Sequence, residues 1–420
     1  MMLLFPKMEN LIVCKNNMKS IAFFFSKMTM GGTETLILRL MKWYFQRFYR
    51  VFLLTEHEIG DVFLLKDLEK INGGEYYIYN EQKKIFFSNV GVELTFDTNE
   101  VFVLTFCIEQ FLICNRWLSK KMYKCQFVYR IYIVHFEGTY VGRKVMFLFR
   151  ALLLFLLRKQ IIVFMDEITI NSCLEYYKIT NIGFELMVLR LPMVIKADIP
   201  LKSKNVDVNL LTITRFDFPF KGYVLGLINS FGNLSFRFEN LYLTIIGYGD
   251  GEYKVKQKIE ALPENIRRKI YLVHKVPYSE ISDYIDSCDL FIGMGTTVLD
   301  VSNRNKITIV PVAYQLGNLA TGFFYDDCKN VGSVHDKSAH YFCFDDLIEQ
   351  YLAFDEVAIN ERVNLTKSLF VEHYDIDKIA PEIINQQYHF PLHIKTHIRI
   401  IDKIYSFLKI LHYKYKLFNR

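Results

Sequence analysis

Two cations and a glycine turn hold the chemistry that this sequence offers. In TRFDFPFKG (214–222), Arg215 and Lys221 stand where an apolar β-run gives way to a helical pattern. Arginine presents a planar fork of donors and lysine a mobile point charge, and together they suit a diphosphate. Such cations in a loop are more often simply solvated. The place of this pair gives it meaning, because α/β proteins bind ligands at the carboxyl ends of their strands. The second segment is FIGMGTTVLD (291–300), in which a strand run ends, Gly293, Met294 and Gly295 make a turn, and a helical pattern opens at Thr296. Glycines let a ligand approach the backbone, and the N–H groups of Thr296, Thr297 and Val298 are expected to face it with the positive end of the helix. Asp300 lies one turn further on the same face. There it either accepts from the hydroxyls of a ribose or complements the helix dipole, worth ~0.3–1 kcal/mol.

The elements that must position these groups read as two βα arrays. The first opens with a strand at 20–25, the loop SKMTMGGT, and a helix whose Leu36, Ile37, Leu40, Met41, Tyr44 and Phe45 share a face. Short β-branched and aromatic runs follow at 51–55, 75–80, 100–106, 127–135 and 160–165. The second array has strand runs at 208–214, 241–247, 269–274, 289–293 and 306–312, alternating with helices as parallel crossovers require. Between the arrays, 189–207 holds two prolines and several lysines and is expected to be the linker. The expected organisation is an extension or arm at 1–18, an N-terminal α/β domain at 19–195, a C-terminal α/β domain at 196–375, and basic helices at 376–420.

With 420 residues, 51% hydrophobic and 23% charged, the chain can bury a core in each of two or three domains. Net charge is +6, with no zinc-finger pattern, RNA-recognition motif or long basic run, so nucleic acid is not an expected partner. The eight cysteines form no CxxC pair and read as reduced thiols of a cytosolic protein, and no structural metal site is visible. The first residues carry Lys7 and Glu9 and no small-residue cleavage signature, which argues against a signal peptide. The apolar run 145–157 contains Arg150 and is too short to span a bilayer of ~30 Å. It belongs to an apolar stretch, 143–159, that is bounded by basic residues. With the cationic tail, that stretch could rest on an anionic leaflet at ~1 kcal/mol per basic group; the alternative is an ordinary helix buried on its own sheet.

Taken in order and spacing, MGGTE (30–34), RFDFPFKG (215–222), LTIIGYGDGE (243–252) and VHKVPYSEISDYIDSCDLFIGMGTTVLD (273–300) resemble the family 4 glycosyltransferases of the bacterial surface and capsular polysaccharide type. The resemblance covers roughly 19–375 and implies the GT-B fold: two Rossmann-like doubly wound parallel-sheet domains facing each other across a cleft, 19–195 on the acceptor side and 196–375 binding the nucleotide sugar. It matches Arg215 and Lys221 to the diphosphate-binding pair. Gly293, Met294, Gly295, Thr296 and Thr297 fall on the phosphate-facing loop and helix start, and Asp300 on the acid that holds the ribose. Val276 falls where backbone groups contact the base, and Gly31 and Gly32 on the loop that approaches the donor phosphates. His135 falls where many members place a histidine near the reacting sugar.

One departure stands out: the first acid of the family's paired motif falls eight residues before Asp300, at Ile292. The resemblance implies a cytoplasmic hexosyltransferase, peripheral on the inner face of the membrane. It would retain configuration and need neither metal nor cofactor, passing a sugar from a nucleotide diphosphate to a saccharide or lipid-linked saccharide. Two rivals stand beside it. One is a nucleotide-sugar epimerase of the same architecture, and the other a catalytically silent relative that binds a nucleotide sugar.

Overall fold

The computed structural model describes residues 19–29, 31–120, 123–136, 138, 140–180, 182–196, 206–276, 278–332, 337–386, 388–390 and 392–418. The arm expected at 1–18, the linker core 197–205 and Arg420 lie outside the described residues. The chain divides into two compact units: the segment up to Pro192 together with that from Asp377 onward, and Met193–Ile376.

In the first unit the order is β1 (Ser20–Phe24), α1 (Gly32–Gln46), β2 (Arg50–Thr55), α2 (Val62–Asn72), β3 (Tyr77–Asn80), β4 (Ile85–Ser88), β5 (Glu100–Thr105), α3 (Ile108–Lys120), β6 (Gln126–Ile133), α4 (Tyr140–Lys144), α5 (Met146–Arg158), β7 (Ile162–Phe164) and α6 (Glu167–Tyr176). The sheet runs β4-β3-β2-β1-β5-β6-β7, parallel except for the β3–β4 hairpin. All five residues of β1 are buried without alternation, the mark of a parallel strand covered on both faces.

Two expectations in this unit are corrected. Phe45, placed on the buried face of α1, is 47% exposed, while Leu38 and Trp43 are buried. A second surface of α1 is covered by the returning C-terminal segment: Trp43 Nε1 donates to Asp377 Oδ1 at 2.7 Å and Tyr44 OH to the Ala380 carbonyl at 2.6 Å. The apolar stretch 143–159 is not one helix but two, broken at Val145. Its second part buries Phe149, Leu152, Leu153, Leu156 and Leu157 in the core of its own unit. No helix among the described residues is long and apolar enough to cross a membrane.

The second unit contains β8 (Val208–Arg215), α7 (Tyr223–Ser235), β9 (Leu241–Tyr248), α8 (Glu252–Glu260), α9 (Glu264–Arg267), β10 (Ile270–Val273), α10 (Tyr278–Ser287), β11 (Leu290–Ile292), α11 (Thr296–Ser302), β12 (Ile307–Pro311), β13 (Leu319–Phe323), β14 (Phe342–Cys343), α12 (Phe344–Leu352) and α13 (Glu356–His373). Its sheet runs β10-β9-β8-β11-β12-β13-β14, with β13 and β14 antiparallel at the edge. The edge strand β14, with two residues, is too short to show a pattern in the sequence. Helix α7 packs directly on chain near Gly317; a Cβ at Gly226 would lie 1.9 Å from the Gly317 oxygen, so only glycine fits.

The chain then forms α14 (Ile376–Ile384) and α15 (Leu392–Phe418), which pack on the first unit. Arg130, 1% exposed in β6, holds this return. Its Nε donates to the Ile383 carbonyl at 2.8 Å and its Nη2 to those of Glu382 and Asn385 at 3.0 and 3.1 Å. A guanidinium thus satisfies carbonyls that the end of α14 leaves without helical partners.

Candidate functional site

Each sheet begins at its centre. In the second unit β8 is followed outward by β9 and β10, and the chain then returns to lay β11 on the other side of β8. The connections leave β8 and β11 in opposite directions, which opens a crevice at their carboxyl ends, the place where doubly wound sheets bind ligands. The loop after β8 holds Arg215 and Lys221, and the loop after β11 holds Gly293, Met294 and Gly295. Residues 80 positions apart in the chain are thereby set on neighbouring strands, Leu211 beside Phe291.

Arg215 is the last residue of β8 and exposed. Lys221 closes the following loop, its N–H donating to the Asp217 carbonyl at 2.8 Å. Burial pushes its ammonium down to about 8, the Arg215 charge pushes the same way, and Asp217 opposes them. The two cations therefore feel one another, Arg215 from the surface and Lys221 from a more buried position. The loop is fastened on both sides: Phe216 N–H donates to the Tyr248 carbonyl, Gly251 N–H to that of Phe216, and Tyr314 N–H to that of Phe220.

Gly295 caps α11 with φ +75°, a left-handed conformation that favours glycine, and nothing lies within 4 Å of where a Cβ would stand. Its own N–H donates to the Val331 carbonyl. The N–H of Val298, expected to face a ligand, is instead taken by the Gly295 carbonyl at 3.1 Å. Those of Thr296 and Thr297 have no partner among the described residues. Met294 is 5% exposed and belongs to the core, so only its backbone can meet a ligand. Asp300, half-buried, neighbours Lys196; burial and Arg304 push that lysine down, while Asp300 and Asp286 hold it up.

Ile292 is the last residue of β11 and fully buried. Only three residues separate β11 from α11. Counting back eight from Asp300 therefore lands on the last residue of β11, whose side chain is buried in the core of this unit.

No family model matches the sequence, and no curated protein matches it. Solved structures do match. A glycosyltransferase from Rickettsia africae superposes with TM-score 0.60 at 13% identity, over 91% of this chain and 99% of its own. A point mutant of S. aureus TarM, in complex with Fondaparinux, alpha-GlcNAc-glycerol and UDP, gives 0.57 at 12% identity over 88% of this chain and 100% of that one. An E. coli trehalose-6-phosphate structure with UDP-2-fluoro glucose bound gives 0.53 at 10%, over 89% and 100%. The fold is GT-B.

In this GT-B chain the first unit repeats the device: β5 returns beside β1, so its reversal lies between them. The loop after β1 leads to Gly31 and Gly32 at the start of α1, and beneath them Glu34 is buried. Its Oε1 accepts from Thr29 N–H at 3.4 Å and Thr29 Oγ1 at 3.2 Å. His135 stands two residues past β6, one strand further along the same edge, and is exposed. Cys107, just past β5, is no nucleophile; burial and then Glu109 push its thiol far up.

Sequence reasoning missed a cluster at the carboxyl ends of β9 and β10. Lys275 Nζ lies 5.3 Å from the Tyr248 ring, and His274 Nδ1 is 3.4 Å from Glu252 Oε2. A hydrogen bond from Lys256, with the charges of Lys256 and His274, holds the Glu252 carboxyl low against partial desolvation. Val276 follows directly, half-buried. The only signal was local, a strand end followed by His-Lys.

Proposed function

We propose that the protein is a glycosyltransferase that moves a hexosyl group from a nucleotide diphosphate to a saccharide, of which a lipid-linked one is the expected form, in the building of a bacterial surface polysaccharide. One observation carries the reading. Arg215 and Lys221 stand in the loop after β8, and the neighbouring strand β11 leads into the Gly295 turn and the N–H groups of Thr296 and Thr297, which have no partner among the described residues. Such an arrangement of donors suits a polyanion.

The acceptor hydroxyl attacks the anomeric carbon as its bond to the phosphate oxygen breaks, and the acceptor proton passes to that oxygen on the same face, with retention. Arg215 and Lys221 neutralise the charge that develops on the leaving diphosphate, each such donor being worth ~3–4 kcal/mol of barrier. Under this reading no metal is needed. Asp300 would take the ribose hydroxyls, Val276 and its neighbours the base, and Gly31, Gly32 and His135 the sugar side.

The test is a melting-temperature screen against nucleotide sugars, repeated with Arg215→Ala. A stabilising donor whose shift vanishes in the variant, with release of nucleoside diphosphate on adding acceptor, supports the reading. An undiminished shift places the phosphates elsewhere. Stabilisation without turnover by any acceptor supports the silent relative.

A peripheral membrane location belongs to the same proposal. The outer face of α15 exposes Ile400, Phe407 and Ile410 beside Lys403 and Lys414. Apolar insertion and attraction to an anionic leaflet would reinforce one another. Flotation with anionic liposomes at low and high salt decides it; absence from the vesicle fraction at low salt removes the location.

A further inference from the structure

The first unit has a cavity of about 360 Å³ that sugar transfer as proposed does not use. It opens at the amino end of the sheet, away from Gly31, Gly32 and His135. Gln126, the first residue of β6, lines it, and so does His389, whose Nε2 lies 3.4 Å from a carboxylate oxygen of Glu100, the first residue of β5.

Its walls combine three kinds of group. Tyr123 and Phe127 supply aromatic surface, with ring centroids 5.9 Å apart and both side chains half-buried. Asn115 and Gln126 supply amides with no hydrogen-bond partner among the described residues. Lys395 and Arg399, one turn apart on α15, supply positive charge; both are exposed and neither has an ion-pair partner among the described residues.

We propose that this cavity is a second saccharide-binding site, one that takes a sugar ring bearing a carboxylate or a phosphate. The apolar C–H face of a pyranose lies against aromatic rings, and its hydroxyls match amides that both donate and accept. The acid group meets the lysine and arginine in charge-assisted hydrogen bonds, the arginine offering a fork. An uncharged sugar would leave the two cations unmatched, and a bare anion would leave the aromatic wall and amides unused. The cavity alone carries this assignment, which does not require the transfer reaction proposed above.

Saturation-transfer NMR and calorimetry on the full chain, with glucuronate, glucose 6-phosphate, glucose, inorganic phosphate and benzoate, test it. The two acidic sugars are expected to bind, in a salt-sensitive way, about tenfold more tightly than glucose or phosphate. Arg399→Ala and Lys395→Ala, surface changes on a helix, are each expected to weaken them about tenfold. Tyr123→Leu should weaken them without changing the salt dependence. Arg215→Ala should leave them unchanged, which separates this site from the diphosphate site. Phosphate as tight as glucose 6-phosphate means a simple anion site, and benzoate as tight as glucuronate means an aromatic-acid pocket; either overturns the proposal. So does binding that survives Arg399→Ala and Lys395→Ala together.

Discussion

Both sheets start from a central strand, β1 in one unit and β8 in the other, and both reverse direction beside it. What stands at the reversal differs. The second unit places two cations there and a glycine-capped helix start whose first N–H groups have no partner among the described residues. The first unit places two glycines there over a buried carboxylate that is tied back to Thr29. A shared topology supplies a crevice twice, and loop chemistry alone makes one of the two suited to a diphosphate. The units also differ in how they are completed. The second is closed by its own segment, Met193–Ile376, whereas the first needs α15 and most of α14, fastened by the buried Arg130.

The sharpest way to break this comparison is to strip the cations. Arg215→Ala combined with Lys221→Ala should lower kcat/KM by about 10⁴-fold or more, two leaving-group donors being lost at once. Steady-state kinetics with a turned-over donor measures it, and a loss below tenfold would mean that the second unit's crevice is not the phosphate site.

Next in size is the fastening of the first unit. Arg130→Leu leaves the Ile383 and Asn385 carbonyls without a donor among the described residues, at roughly 3 kcal/mol or more of stability. Chemical denaturation should show the first unit melting early while the donor still protects the second. A single unshifted transition would show that the return of the C-terminal segment is held by apolar packing instead.

Gly295→Ala puts a side chain on a left-handed residue and should cost about 1–3 kcal/mol at the helix start. Because the space in front of Gly295 is open, the loss reflects backbone strain rather than collision. Donor affinity should fall with it, and a variant of unchanged stability would mean that the turn has another conformation.

The smallest expected effect is on pH. Lys221 is lowered to about 8, and a bound diphosphate favours its charged form. Donor affinity should therefore be level below that pH and decline about tenfold above it, while Lys221→Arg should remove the decline. For the free protein the sign is opposite. Between about 8 and the ordinary 10.5 the unfolded chain holds a proton that the folded one has shed, so this lysine's contribution to stability rises with pH. A flat affinity profile in calorimetric titrations from pH 7 to 9 would show the lysine to be outside the site.

Much of this architecture was legible in the sequence. Runs such as SIAFF and LTIIG are apolar on both faces, a local property that declares a parallel strand wherever it lies. Arg215 and Lys221 could be placed at a strand end for the same reason, and Gly295 at a helix start. Phe45 misled because helical periodicity shows that a residue shares a face without showing which faces will be covered. Trp43, which pairs with Asp377, owes its burial to a segment more than 300 positions away.

Ile292 could be reached by counting in the sequence, but that its side chain would be buried at the end of β11 could not. The cavity beside Arg399 left no trace at all, because its lining comes from three separated stretches. Composition and periodicity thus determined which segments would be strands, which helices, and which loops carry charge. Tertiary structure alone decided that β11 lies against β8 and not β10, and so that two distant loops flank one crevice. The order of strands is set by hydrogen bonds and packing between segments remote in the chain, and no local pattern encodes it.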